Sequence, residues 1–191
     1  MTVTVTEPSS SPARAVSPGP VFLVGMMGAG KSTVGRALAA DLGATFVDLD
    51  RRIERMFGAS IAELFEDGEA YFRACERAAL CSLLDEPGFA GARVVIATGG
   101  GVVVDPANRA DMAGAGRVVY LELPVDALVA RLSTDAARAE RPLLEDRASL
   151  RERLDQLLRA RASAYASAEL RVDARPPVRA VVEALRAALA A

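Results

Sequence analysis

Lysine is nearly missing from this chain: of 23 basic side chains among 191 residues, only Lys31 is a lysine and the rest are arginines. Histidine is absent, so whatever reaction the chain performs proceeds without a titrating imidazole. Two cysteines occur, Cys75 and Cys81, six residues apart in a helical stretch. There their side chains point in different directions and stand too far apart to bridge, which favours a reduced, cytoplasmic setting. Basic excess is lacking too, with 23 basic against 25 acidic residues, so nothing points to a nucleic-acid partner. No uninterrupted apolar run reaches membrane-spanning length, because Arg, Asp or Glu breaks the Ala-rich stretches every few residues. Residues 1–20 are rich in Ser, Thr and Pro and have neither the apolar core of a signal peptide nor an amphipathic pattern; they read as a disordered tail. No internal repeat is present.

What remains is a length suited to one domain, residues 21–191, with 51% apolar and 25% charged residues. Apolar strand-like runs alternate with helical stretches, the pattern of an α/β fold with a parallel sheet covered by helices on both faces. Five strands are expected, at VFLV (21–24), TFVDL (45–49), RVVIAT (93–98), RVVYLEL (117–123) and ELRVD (169–173). Helices are expected from the first strand's loop to Leu42, stopped by Gly43, and at 50–57, at 60–65 with Ser60 and Glu63 spaced as a capping box, and at 68–85. Others follow after Pro106, at 124–132, at 148–165 and after Pro176-Pro177. Residues 133–147, STDAARAERPLLEDR, interrupt the periodicity and read as a mobile lid.

The solitary lysine sits in GMMGAGKST (25–33), where Gly25, Gly30, Lys31 and Ser32 fit G-x-x-x-x-G-K-[ST] between a strand and a helix. In such a P-loop the backbone N–H groups of Gly28, Ala29, Gly30 and Lys31 would cradle a β-phosphate at the helix N-terminus, followed by Thr33. Lys31 would reach β- and γ-oxygens, and the Ser32 hydroxyl would ligate Mg²⁺. A compact ammonium suits a phosphate held inside a tight loop better than a planar guanidinium does, which explains why the bias toward arginine stops here. A GTPase would need [NT]-K-x-D for its base, and no second lysine exists. DEPG (85–88) and DMAG (111–114) match D-x-x-G but follow no strand. Glu122 at the end of VVYLE resembles a Walker B acid, although an interior strand reaching the surface explains it more simply. Better partners for Mg²⁺ are Asp48 and Asp50 in FVDLD: strand alternation would put both on one face, at the strand ends where α/β sheets bind ligands. The alternative for this pair is a strand-end Asp followed by a helix N-cap.

EDGEAYFRACE (66–76) offers Phe72, Arg73 and, one helical step on, Glu76; an exposed ion pair is the plain reading of the last two. Gly99-Gly100-Gly101 after a buried strand pack nothing themselves, and close approach of backbone to a ligand would explain them. Arg141 with Pro142 in the lid and Arg161 on the next helix add cations for an anion.

Together GMMGAGKST, FVDLD, SIAELFEDGEAYFRACE, TGGG, RPLL and RASAY, in this order and at these distances, closely resemble shikimate kinase over residues 21–180. The resemblance implies a fold like that of nucleoside monophosphate kinases, with transfer of the γ-phosphate of ATP to the 3-hydroxyl of shikimate and Mg²⁺ as cofactor. It assigns Asp50 as candidate base at the acceptor hydroxyl and Asp48 as a Mg²⁺ partner through water. It gives Arg73 and Arg161 the substrate carboxylate, with Glu76 orienting Arg73. Gly99, Gly100 and Gly101 would line the substrate pocket, Phe65 and Phe72 would wall it, and 50–85 would form the shikimate-binding region. Arg141 would close over the transferring phosphate, and Arg131 and Arg175 would lie on the adenine side. Arg138 could be a second lid arginine. Shikimate is a small polyol with one carboxylate, and arginines at one end with a carboxylate at the other suit it. A monomer with small-molecule substrates and no membrane partner is expected, and a gluconate or nucleoside monophosphate kinase is the alternative enzyme.

Overall fold

Four apolar residues in succession, Val21–Val24, form β1, and none is more than 1% exposed. Successive strand side chains point to opposite faces of a sheet, so a strand buried at every position is covered on both sides. Strand β3 (Val94–Ala97) is buried in the same way. With β2 (Thr45–Asp48), β4 (Arg117–Glu122) and β5 (Leu170–Asp173) they make one five-stranded, all-parallel sheet in the order β2-β3-β1-β4-β5. The computed structural model describes residues 19–133 and 147–190. Most of the expected tail and nearly all of the expected lid, including Arg138 and Arg141, lie outside the described residues. Pro20, assigned to the tail, is already packed: it is buried, and its carbonyl accepts from the Arg117 N–H at 2.9 Å.

Eight α-helices are found among the described residues: α1 (Lys31–Leu42), α2 (Leu49–Phe57), α3 (Ile61–Glu66), α4 (Glu69–Leu84), α5 (Pro106–Ala115), α6 (Val125–Leu132), α7 (Arg147–Ala166) and α8 (Val178–Ala190). Helix α1 packs against α8, whereas α4 packs against α2, α3 and α5. Phe22, Leu38, Ile53, Leu80, Ile96, Leu121 and Leu128 are fully buried between sheet and helices, each contributing roughly 1.5–3 kcal/mol of transfer free energy. Local signals place the ends well. Gly43 closes α1 in the left-handed conformation, φ 60°. The Ser60–Glu63 capping box forms reciprocally, with Ser60 N–H donating to Glu63 Oε2 at 2.7 Å and Glu63 N–H to Ser60 Oγ at 3.2 Å.

Strand β1 lies between β3 and β4, so the loop after β1 and the glycine triplet after β3 emerge side by side beyond the carboxyl ends of the strands. That crevice is where open α/β sheets bind ligands. One expectation fails at its rim. The second strand stops at Asp48 instead of running through residue 49, and Asp50 belongs to the first turn of α2. Asp48 and Asp50 therefore do not share a strand face: Asp48 is the helix N-cap, its side chain accepting from the Arg51 N–H. The residue that interrupts the strand is Leu49, which is fully buried.

Candidate active site

The loop after β1 folds tightly onto itself. Gly30, at φ 93°, caps α1 in a conformation open to glycine, and its carbonyl accepts the Val34 N–H at 2.8 Å. The Ala29 N–H donates to Met26 O at 3.1 Å, so of the four donors expected to face a phosphate, this one is directed into the loop instead. Lys31 is 9% exposed, and its ammonium donates to Gly25 O at 2.8 Å and Met26 O at 3.0 Å. The cation is thereby held over the mouth of the loop by the loop's own carbonyls.

Gly28, Gly30, Lys31, Ser32 and Thr33 line a cavity of about 730 Å³, together with Asp50, Thr98, Gly100, Arg131, Arg175, Pro176 and Pro177. Its volume is that of a drug-sized ligand site. Two of its walls are tied together by Arg131, which donates through Nη1 to Ala29 O at 3.1 Å and through Nη2 to Ala174 O at 2.7 Å. Arg175 is exposed and paired with Asp173 at 2.7 Å. Glu122, the candidate Walker B acid, is bound to Arg171 of the neighbouring strand, with Arg171 Nε donating to Oε2 at 2.6 Å; it does not line this cavity. Ser32 Oγ donates to Asp48 Oδ2 at 2.7 Å, which brings a hydroxyl and a carboxylate together beside the P-loop.

The glycine triplet is explained by its neighbours. None of the three residues has a positive φ, so backbone conformation does not require glycine here. A Cβ on Gly99 would stand 2.5 Å from Glu76 Oε1 and 2.9 Å from Asp50 Oδ1, and one on Gly101 would collide with the Arg73 guanidinium. At Gly100 it would come within 3.2 Å of the Met27 N–H nitrogen in the P-loop. The close approach inferred from sequence is thus made by the chain's own carboxylates, guanidinium and P-loop. On the far side, Arg161 Nη1 donates to Gly100 O at 3.1 Å. Asp50, Arg73, Glu76 and Arg161, from three different helices, converge on three residues.

Arg73 is held on several sides. It pairs with Glu76 at 2.7 Å and Glu69 at 3.0 Å, and its Cζ lies 5.1 Å from the Phe72 ring centroid and 5.9 Å from that of Phe65. The two rings stack at 4.2 Å, Phe72 buried and Phe65 40% exposed, so Phe72 backs Arg73 and Phe65 presents a face. The plain reading of an exposed i,i+3 ion pair fails, because Glu76 is 1% exposed. Burial pushes its carboxyl pKa up, Arg73 works against that rise, and Asp50 adds to it while Arg161 opposes it. Glu76 Oε1 has no hydrogen-bond partner among the described residues. Three participants escaped sequence reasoning. Thr98 lines the cavity and bonds Leu23 O at 3.0 Å; Glu69 is the second partner of Arg73; Tyr165 donates to Gly100 O at 2.7 Å. For two of them there was a usable signal, the i+4 spacing of Tyr165 from Arg161 and of Arg73 from Glu69, each pair on one helix.

A family model described as shikimate kinase matches residues 27–189. The chain belongs to the shikimate kinase family. Shikimate kinases transfer phosphate from ATP to shikimate. A shikimate kinase of Salinibacter ruber is 45% identical over 172 residues, 85% of this chain and 80% of that one. Another, of Halorhodospira halophila, is 44% identical over 177 residues, 89% and 95% of the two chains. Among solved structures, shikimate kinase from Acinetobacter baumannii in complex with shikimate superposes with a TM-score of 0.79 at 35% identity, covering 92% of this chain and 94% of that one. A gluconokinase from Sinorhizobium meliloti shares only the fold, at 19% identity and a TM-score of 0.54 over 91% and 93% of the two chains.

Proposed function

We propose that this chain transfers the γ-phosphate of ATP to the 3-hydroxyl of shikimate, giving shikimate 3-phosphate and ADP. The observation that carries the proposal is the double position of Asp50. It lines the P-loop cavity and also faces Gly99 beside Glu76, within the cluster of Arg73 and Arg161. A carboxylate at that boundary can hold an acceptor hydroxyl between a nucleotide on one side and a carboxylate-binding pair of arginines on the other.

In this reading the P-loop cavity takes the triphosphate, with Lys31 neutralising the β- and γ-oxygens and Arg131 and Arg175 on the adenine side. Arg73 and Arg161 grip the shikimate carboxylate, Glu76 and Glu69 orient Arg73, and Asp50 accepts the hydroxyl proton as the phosphoryl group leaves ADP. Ser32 and Asp48 fit a magnesium ion: they are adjacent oxygen donors beside the loop, of the kind this hard cation takes directly or through water. Bound there, the ion would neutralise charge on the transferring phosphate. Arg141 is assigned to that phosphate on its R-P-L-L pattern, within a lid at 133–147, and 50–85 is assigned as the substrate-binding region. We place the enzyme in the cytoplasm, in keeping with its free cysteines, and as a monomer, since one chain supplies every residue assigned. No described helix is long and apolar enough to cross a membrane.

An ATP-consumption assay across shikimate, gluconate and the nucleoside monophosphates tests the reading. Turnover is expected with shikimate, and its absence there with turnover on another acceptor would end the proposal.

A further inference from the structure

The Gly100 carbonyl has two donors. Tyr165 Oη donates at 2.7 Å and Arg161 Nη1 at 3.1 Å, which fills both acceptor positions of that oxygen. The two donors differ in freedom. Tyr165 is 2% exposed and its ring stacks on Tyr120 of β4, centroids 4.8 Å apart and planes within 3°. Tyr120 in turn has the Arg171 guanidinium 5.9 Å from its centroid. Packed against the sheet, the phenol has one place to be. Burial pushes its pKa up to about 12, so it remains an O–H donor under working conditions. Arg161 is a long, half-buried side chain that also lies beside the Tyr165 hydroxyl and in the field of Glu76, and its contact with Met26 Sδ, at 4.0 Å, is weak. Gly100 itself lies against the P-loop at Met27, so the carbonyl they share sits at the seam between the two halves of the site.

We infer that Tyr165 is a positioning residue for the acceptor substrate: it keeps the Gly100 carbonyl bonded from the rigid side, leaving Arg161 able to turn to the substrate carboxylate. The inference rests on Arg161 being a carboxylate ligand. Without the phenol, Arg161 is the only donor this carbonyl has among the described residues, and its move to substrate strands a half-buried oxygen. With the phenol, the carbonyl exchanges two hydrogen bonds for one and is never orphaned.

Tyr165→Phe tests this, because it removes the hydroxyl and keeps the stacked ring. The KM for shikimate is expected to rise five- to tenfold, tenfold being about 1.4 kcal/mol, with kcat and the KM for ATP unchanged within twofold. In an Arg161→Ala background the same substitution is expected to add nothing, since the side chain it acts through is gone. Additive effects in the double variant would overturn the inference, as would a lowered Tm with no selective change in shikimate KM. If Arg161→Ala raises the shikimate KM while Tyr165→Phe does not, Tyr165 loses its role and the assignment of Arg161 survives. A wild-type shikimate KM in Arg161→Ala removes that assignment and the inference with it.

Discussion

Gly101→Ala adds one methyl group at a position whose backbone tolerates it, φ −104°, so any effect comes from what the methyl meets. It would stand 2.5 Å from the Arg73 Cζ, where carbon contacts settle at about 3.5–4.0 Å, and the guanidinium must retreat by about 1 Å or more. The retreat stretches the 2.7 Å pair with Glu76 and moves the cation off the carboxylate it is proposed to grip. Losing one charge-assisted contact is worth roughly 1.5–3 kcal/mol, so the KM for shikimate should rise roughly 10- to 150-fold. Stability should fall as well, because Glu76 Oε1 already lacks a partner among the described residues and Oε2 would join it in a buried site. At roughly 1–3 kcal/mol, and about 2–4 °C per kcal/mol for a domain of this size, Tm should drop by several degrees. The assay is coupled ADP release with shikimate titrated at saturating ATP, beside the reverse titration and a thermal melt. A shikimate KM within twofold of wild type, with an unshifted Tm, would show that the guanidinium does not depend on the space Gly101 leaves.

Asp50→Asn should lower kcat by roughly 10²–10⁴-fold while ATP binding measured by calorimetry stays intact; a wild-type kcat would dismiss Asp50 as base or positioner. Arg131→Ala removes the bonds to Ala29 O and Ala174 O and should raise the KM for ATP several-fold with little change for shikimate; the opposite selectivity would contradict its place on the nucleotide side. Glu76 titrates above its ordinary value of 4.5 in the folded state because it is buried. Its contribution is therefore fully present below pH 4.5 and lost as pH rises through the raised folded value. Glu76→Gln abolishes that titration, so the Tm of the variant relative to wild type should climb as pH is raised from 4.5, and parallel Tm curves would refute the shift.

Residues close in sequence carried most of what could be read without a structure. The loop between the first strand and helix, the five strands to within a residue at their ends, the Gly43 stop and the Ser60–Glu63 box each depend on neighbours within a few positions, and they formed where spacing suggested. Composition narrowed the chemistry further, since with one lysine and no histidine the basic side chains on offer to a phosphate are Lys31 and arginines. Asp50, proposed as a site residue, was expected at a strand end and lies instead in a helix: FVDLD alternates like a strand, while Leu49 is drawn into the core and the helix begins one residue early.

What the sequence determined alone was therefore the set of parts: a phosphate loop, an acidic pair, a glycine triplet, and arginines of unstated partnership. The tertiary structure decided how they face one another, because the deciding contacts join residues far apart in the chain. Arg131 reaches a carbonyl 102 residues away and Tyr165 one 65 residues away. Whether the Arg73–Glu76 pair is a surface ornament or a buried clamp depends on what covers Glu76, and helix spacing carries no record of that. The glycines show the division well. Sequence could say that three small residues leave room for something, and only packing could show that the room is taken by Glu76, Asp50, Met27 and Arg73.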